Sequence, residues 1–262
     1  MGESVVGAPP SSRVVLSRAA GTWLAVYVAV AIVDVVAESA HLFWVVLAAL
    51  VLALPALTVV LVSSRPRDRL TAWVVGALFF GWLGDWLGDL LTPHIAWKIL
   101  FFFLGHVCYI IAFWPYRSRS VLNRPGLLAC YVLGVAALLA WVVPSAGWLS
   151  GTGLVVYGLT LGLVAVLATG LGPLAAVGGI VFIISDMSIA ITSFVYPGRL
   201  DHGELLIMST YLVAQLLVVL GVIEAPESDD TMRSPTRARV AGLPAALTNR
   251  PEHLQPNESG TS

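Results

Sequence analysis

Two aspartates one helical turn apart, Asp85 and Asp89, stand in "FFGWLGDWLGDLL", residues 79–91, a run otherwise apolar enough to dissolve in lipid. A third, Asp186, stands in "GGIVFIISDMSIAI", and His106, Tyr109, Ser185, Tyr211 and Gln215 are polar residues in equally apolar surroundings. An Asp at the centre of a lipid-facing helix costs about 2.5–3.5 kcal/mol on insertion scales, so these side chains are expected to face an interior and to have a task there. Two carboxyls in one pocket can hold different protonation states, one acting as acid and the other as base. Asp85 and Asp186 are therefore the candidate catalytic pair. His106, Tyr109, Ser185, Tyr211, Gln215 and Asp89 are the candidate supporting or substrate-binding groups.

Other chemistries lack their parts. There is no G-x-S-x-G, and no histidine base accompanies Ser185. His41, His94 and His202 fall at span ends, which leaves His106 alone at depth with no His-x-x-x-His spacing. Neither a metal nor another cofactor is expected. Cys108 and Cys130 both sit in apolar runs and read as small packing residues. A net charge of −1 offers no general basic face for nucleic acid.

The elements that must position these groups follow from composition. Of 262 residues, 58% are hydrophobic and 11% charged, and the mean hydropathy is +0.89, outside the range of soluble domains. A spanning helix takes about 20 mostly apolar residues. Eight such segments can be drawn, at about 21–38, 40–62, 71–91, 95–114, 126–143, 151–169, 172–195 and 204–223. Helices are the expected element because a lipid-exposed backbone must satisfy itself, and the alternation of a membrane barrel is missing. The fold class is an all-α, polytopic bundle of eight transmembrane helices. Residues 1–20 read as an N-terminal segment, 21–223 as the membrane domain and 224–262, rich in Pro, Ser, Thr and charge, as a disordered tail.

Helical phase supports inward faces. Gly81, Gly84, Asp85, Gly88 and Asp89 share one side of the third span, opposite Leu83, Trp86, Leu87 and Leu90. Phe102, His106, Tyr109 and Phe113 align in the fourth span; Gly178, Phe182, Ser185, Asp186 and Ile189 in the seventh; Glu204, Met208, Tyr211 and Gln215 in the eighth. Asp34, Glu38, His41, His94, Lys98 and Glu204 lie near span ends and read as interfacial.

Arginine positions orient the bundle. Arg13, Arg18, Arg65, Arg67, Arg69, Arg117, Arg119, Arg124, Arg233, Arg237 and Arg239 fall on the side of the termini, against Lys98 and Arg199 on the other. The positive-inside rule then puts both termini in the cytoplasm of a cell membrane and Asp85 and Asp186 at similar depth in the outer half. A signal peptide ending at "AESA" is the competing reading of the first span.

Taken together, "GDWLGDLL", "LGHVCYIIAFW", "GGIVFIISDMSIAI" and "YLVAQLLVVLG", in that order and spacing, resemble the YhhN-like lysoplasmalogenase family of eight-helix membrane proteins, over about residues 20–223. Two positions depart from the family pattern: Leu54 precedes Pro55 where members usually carry Lys, and Gly81 stands where they carry Ser. The resemblance implies a lysophospholipid substrate in membrane lipid and hydrolysis of its vinyl ether bond, giving a fatty aldehyde and a glycerophospho-alcohol. Such a bond is cleaved by protonation at carbon and capture of the oxocarbenium-like cation by water, which suits a carboxyl pair as glycoside hydrolysis does. The competing classes are a small-molecule or proton transporter built on the same Asp and His residues, and a noncatalytic lipid-binding protein. Oligomeric state is not legible.

Overall fold

The computed structural model describes residues 17–198 and 203–226, apart from the side chains of Asp89 and His94. The expected N-terminal segment and C-terminal tail fall almost wholly outside the described residues, as do Arg13, Arg199, His202 and the tail arginines. The chain folds into helices α1 (Arg18–Ser39), α2 (Phe43–Ser64), α3 (Arg69–Leu90), α4 (His94–Phe113), α5 (Pro125–Ala168), α6 (Pro173–Ala190) and α7 (Gly203–Glu224). Short 3-10 turns occupy Trp114–Arg119 and Val121–Asn123, and a π-helical turn, Ile191–Val195, ends α6. All seven helices are long and apolar enough to cross a bilayer. This is a multi-pass, all-helical membrane protein.

Among the described residues the fifth and sixth expected spans share one 44-residue element, α5, in which two helices meet at a kink. Gly147, shortly after Pro144, interrupts it with φ 72° and ψ 169°, a backbone state that glycine reaches without a Cβ clash. On either side the arms fold back on each other. A Cβ at Gly158 would press on Leu139, and one at Gly162 on Val135.

Local chemistry starts and ties the other helices. The Ser17 hydroxyl accepts from the Ala20 amide at 3.1 Å to cap α1, and the Asp68 carboxylate accepts from the Thr71 amide at 2.8 Å to cap α3. Proline opens both α5 and α6, where its missing N–H costs nothing. Inside α2, Pro55 deprives the Val51 carbonyl of its helical donor. The Trp82 indole of α3 replaces it, donating Nε1–H to that oxygen at 3.0 Å. Helices α6 and α7 approach closely because a Cβ at Gly178 would stand 2.9 Å from the Val218 nitrogen, and one at Gly221 would collide with Ala175.

The end of the bundle where α1 begins and α7 ends is stitched by polar bonds. Arg65 Nη1 donates to the carbonyls of Val222 at 2.7 Å and Ala225 at 2.9 Å, and Nη2 donates to Asp68 at 3.3 Å. The Val121 amide donates to Thr169 Oγ1 at 2.9 Å. Between the helices lies an apolar core that includes Leu57, Leu78, Phe113, Leu167 and Val219. Large apolar side chains such as Val36, Trp44 and Leu133 face outward, as a lipid-facing surface allows.

Candidate active site

The inward faces meet as helical phase requires. Asp85, His106, Ser185, Asp186 and Gln215 are each no more than 4% exposed. Asp85 lies in the second turn from the end of α3, and Tyr211 of α7 donates its hydroxyl to Asp85 Oδ2 at 3.1 Å. Gln215, one turn further along α7, also hydrogen-bonds Tyr211. Its Oε1 accepts the Tyr109 hydroxyl of α4 at 2.6 Å, which leaves the amide N–H as the group for Tyr211. Tyr109, Gln215, Tyr211 and Asp85 thus form one chain of donors running towards the carboxylate.

Gly81 makes room for that chain. A Cβ there would stand 2.9 Å from the Tyr211 hydroxyl, 3.3 Å from Leu54 Cδ1 and 3.5 Å from Gln215 Nε2. Leu54 and Gly81 therefore sit side by side, with the Tyr211 hydroxyl next to Gly81. Asp85 opens on a cavity of about 290 Å³. Phe102, Ser185, Ile207 and Tyr211 line it near Asp85, and Lys98, Thr192, Ser193 and Glu204 line it towards the end of the bundle where α4 and α7 begin.

Asp186 has a different setting. Tyr157, from the second arm of α5, donates its hydroxyl to Asp186 Oδ2 at 2.5 Å, and His106 Nε2 lies 3.5 Å from the same oxygen. The His106 ring also packs on Tyr157, with centroids 5.1 Å apart. Phe182 stands between the two carboxylate clusters, with its ring 5.5 Å from His106, 6.3 Å from Tyr109 and 5.8 Å from Tyr211. Asp85 and Ser185 line the cavity, whereas Asp186 is not among its lining residues. The Ser185 hydroxyl donates to the Ile207 carbonyl at 3.1 Å, tying α6 to α7.

The arrangement thus brings seven of the eight expected residues into two adjoining clusters, one open to a cavity and one enclosed. The eighth, Asp89, has its side chain outside the described residues. Tyr157 is the partner that sequence reading missed: it stands in an apolar span with no acid or base to mark it. Asp34 is a correction. It was expected at the interface, yet it is 0% exposed, and neither of its carboxylate oxygens has a hydrogen-bond partner. Its distance from the span end suggested water, but it falls two turns beyond buried Tyr27 on the same face of α1. Tyr27 itself donates to the Leu212 carbonyl at 2.7 Å. Lys98 and Glu204, also read as interfacial, line the cavity.

A helical membrane bundle with buried carboxylates around a small cavity can be compared with known proteins on both counts. Residues 40–222 match the YhhN family. The chain belongs to that family. It is 30% identical over 183 residues to a protein of Mycobacterium tuberculosis named lysoplasmalogenase, covering 66% of this chain and 69% of the relative. It is 32% identical over 189 residues to human lysoplasmalogenase TMEM86B, covering 68% of this chain and 76% of the relative. Over a shorter stretch of 53 residues it is 47% identical to human lysoplasmalogenase TMEM86A, covering 20% of this chain and 21% of the relative. No solved structure matches it.

Proposed function

We propose that the protein hydrolyses the vinyl ether bond of a lysoplasmalogen or a related lysolipid, releasing a fatty aldehyde and a glycerophospho-alcohol. Membership of a family whose named relatives are lysoplasmalogenases supports the substrate class. The observation that carries the chemistry is Asp85, hydrogen-bonded by Tyr211, on the wall of a cavity inside an apolar bundle.

In this reading Asp85 delivers a proton to the alkenyl carbon remote from the ether oxygen, and the adjoining carbon becomes an oxocarbenium ion. Water adds to that carbon and gives up a proton to the Asp85 carboxylate. The resulting hemiacetal collapses to the aldehyde and the glycerol hydroxyl, so one water is consumed and no proton is lost overall. Asp186, one ring behind and held by Tyr157 and His106, supports the site from within its apolar wall and sets the position of the rings beside the reacting group. The donor chain through Tyr109, Gln215 and Tyr211 fixes the orientation of the Asp85 carboxyl. Ser185 and Phe102 shape the wall beside it.

A cavity of about 290 Å³ matches roughly ten water molecules at about 30 Å³ each. That accommodates the headgroup and the ether, with the long alkenyl chain remaining in lipid. The arginine asymmetry supports a cell-membrane setting with both termini cytoplasmic and the cavity in the outer half of the bilayer. The test is aldehyde release from a lysoplasmalogen by purified protein in detergent, for wild type, Asp85→Asn and Asp186→Asn, with folding checked by melting temperature. Aldehyde from wild type alone supports the hydrolase. No aldehyde from wild type, together with ion flux into vesicles, overturns it in favour of transport.

A further inference from the structure

The cavity is chemically graded, and its grading selects a headgroup. Three helices step outward from Asp85 in parallel. Along α7 the lining residues run from buried Tyr211 through Met208 to exposed Glu204; along α4 from Phe102 to Lys98; along α6 and its π-helical turn from buried Ser185 through Ile189 to Thr192 and exposed Ser193. The far end of the cavity thus has a cation, an anion and two hydroxyls, while its inner end has the acid that meets the ether.

We infer that Lys98 receives the phosphate and Glu204 the primary ammonium of a phosphoethanolamine headgroup, an assignment that rests on the lysolipid hydrolase reading. Distances along the helices fit. From Phe102 to Lys98 is one turn, about 6 Å at about 1.5 Å per residue, and from Tyr211 to Glu204 is about 10 Å. In the substrate, an extended chain of six bonds separates the ether carbon from phosphorus, about 7 Å, and ten bonds separate it from nitrogen, about 12 Å when fully stretched. The same ruler therefore places phosphate level with Lys98 and nitrogen level with Glu204 when the ether lies at Asp85.

The kind of ammonium follows from the lining. A quaternary ammonium has no N–H and is recognised by the faces of aromatic rings. The aromatic residues lining this cavity, Phe102 and Tyr211, lie at the inner end, where their rings contact each other at 5.7 Å. The outer end offers carboxylate and hydroxyl acceptors instead, which suit the three N–H donors of ethanolamine. Lysine serves phosphate as a compact point charge, indifferent to what the phosphate carries beyond it. Lys98 consequently sets affinity for any phosphate headgroup, and Glu204 sets the choice between ethanolamine and choline.

Two measurements on the full-length protein in detergent test the assignment. Binding is read with ester-linked lysophosphatidylethanolamine and lysophosphatidylcholine, which have no vinyl ether to cleave, by thermal shift titration. Turnover is read as aldehyde from the ethanolamine and choline lysoplasmalogens. Wild type is expected to prefer ethanolamine about tenfold in both. Glu204→Gln is expected to bring that ratio close to one. Lys98→Met is expected to weaken both ligands by a similar factor and keep the ratio. Equal binding of the two headgroups by wild type, or an unchanged ratio in Glu204→Gln, overturns the assignment even if aldehyde is released. An intact binding preference without aldehyde from either lysoplasmalogen leaves the headgroup site standing and overturns the hydrolase reading instead.

Discussion

Asp85 sits on α3 and takes its hydrogen bond from Tyr211 of α7, whereas Asp186 sits on α6 and is met by His106 of α4 and Tyr157 of α5. Each carboxylate is thus held by helices outside its own hairpin, α3 with α4 or α6 with α7. The exchange locks the two hairpins together through their acids, with Phe182 filling the space between. The difference lies on the other side of each carboxyl. Asp85 looks onto a cavity whose outer end is polar, and Asp186 is sealed among rings. A matched pair of acids on the sequence becomes, in space, one group that can touch a substrate and one that can act only through the groups it holds in position. Burying an acid among hydrogen-bond donors orders it firmly, but reaction needs an open side as well.

The largest expected effect separates the two acids directly. Asp85→Asn removes the proton donor and is expected to lower kcat for aldehyde release about a thousandfold, within the range for loss of a general acid. Asp186→Asn keeps the proton donor and is expected to cost about a hundredfold, in kcat and not in KM. If Asp186→Asn proved the more damaging of the two, the order of the two acids would be reversed.

The tyrosines sharpen the same contrast at smaller scale. Tyr211→Phe removes one donor from Asp85 inside the cavity, and a loss of about tenfold in kcat with a raised KM is expected. Tyr157→Phe removes the donor from the sealed acid. There the unpaired buried acceptor costs about 1–3 kcal/mol of stability, so a lower melting temperature accompanies the fall in kcat while KM holds. Gly81→Ala is gentler. The added methyl meets the Tyr211 hydroxyl and Leu54, and a displaced Tyr211 is expected to cost a few-fold in kcat, with overpacking of about 1 kcal/mol.

What was legible in the sequence was whatever periodicity controls. Apolar runs of span length mark the helices, and a 100° step places Asp85, His106, Asp186 and Gln215 on inward faces, where they lie. Tyr157 was not legible, because a tyrosine between apolar neighbours carries no sign of which distant acid it will reach. Asp34 was misjudged from its nearness to a span end, although its seven-residue spacing from Tyr27 pointed inward. The turn at Gly147 is visible as "VPSAG", with a helix expected on each side of it, and what the structure adds is the packing of one arm on the other. Nor does helical phase distinguish an acid that lines a cavity from one walled off by Phe182, since that depends on the ring of a third residue.

The smallest effect belongs to the end of the bundle away from the acids, where polar groups serve stability alone. Asp68 caps α3 and pairs with Arg65, whose guanidinium also closes the last carbonyls of α7. Partial burial works against its ionisation, but the Thr71 amide and hydroxyl and the Arg65 guanidinium outweigh it and hold the carboxyl below its usual value. A carboxyl depressed in the folded state stabilises fully above its unfolded pKa of about 3.9, and that contribution fades as pH falls through the folded value. Asp68→Ala is accordingly expected to cost about 1 kcal/mol, read as a lowered melting temperature. The gap from wild type should be constant around neutral pH and close below about pH 4. Aldehyde release per folded molecule should match wild type throughout. A pH-independent gap would mean that Asp68 acts through packing and not through its charge, and a fall in specific activity would mean that the two ends of the bundle are coupled.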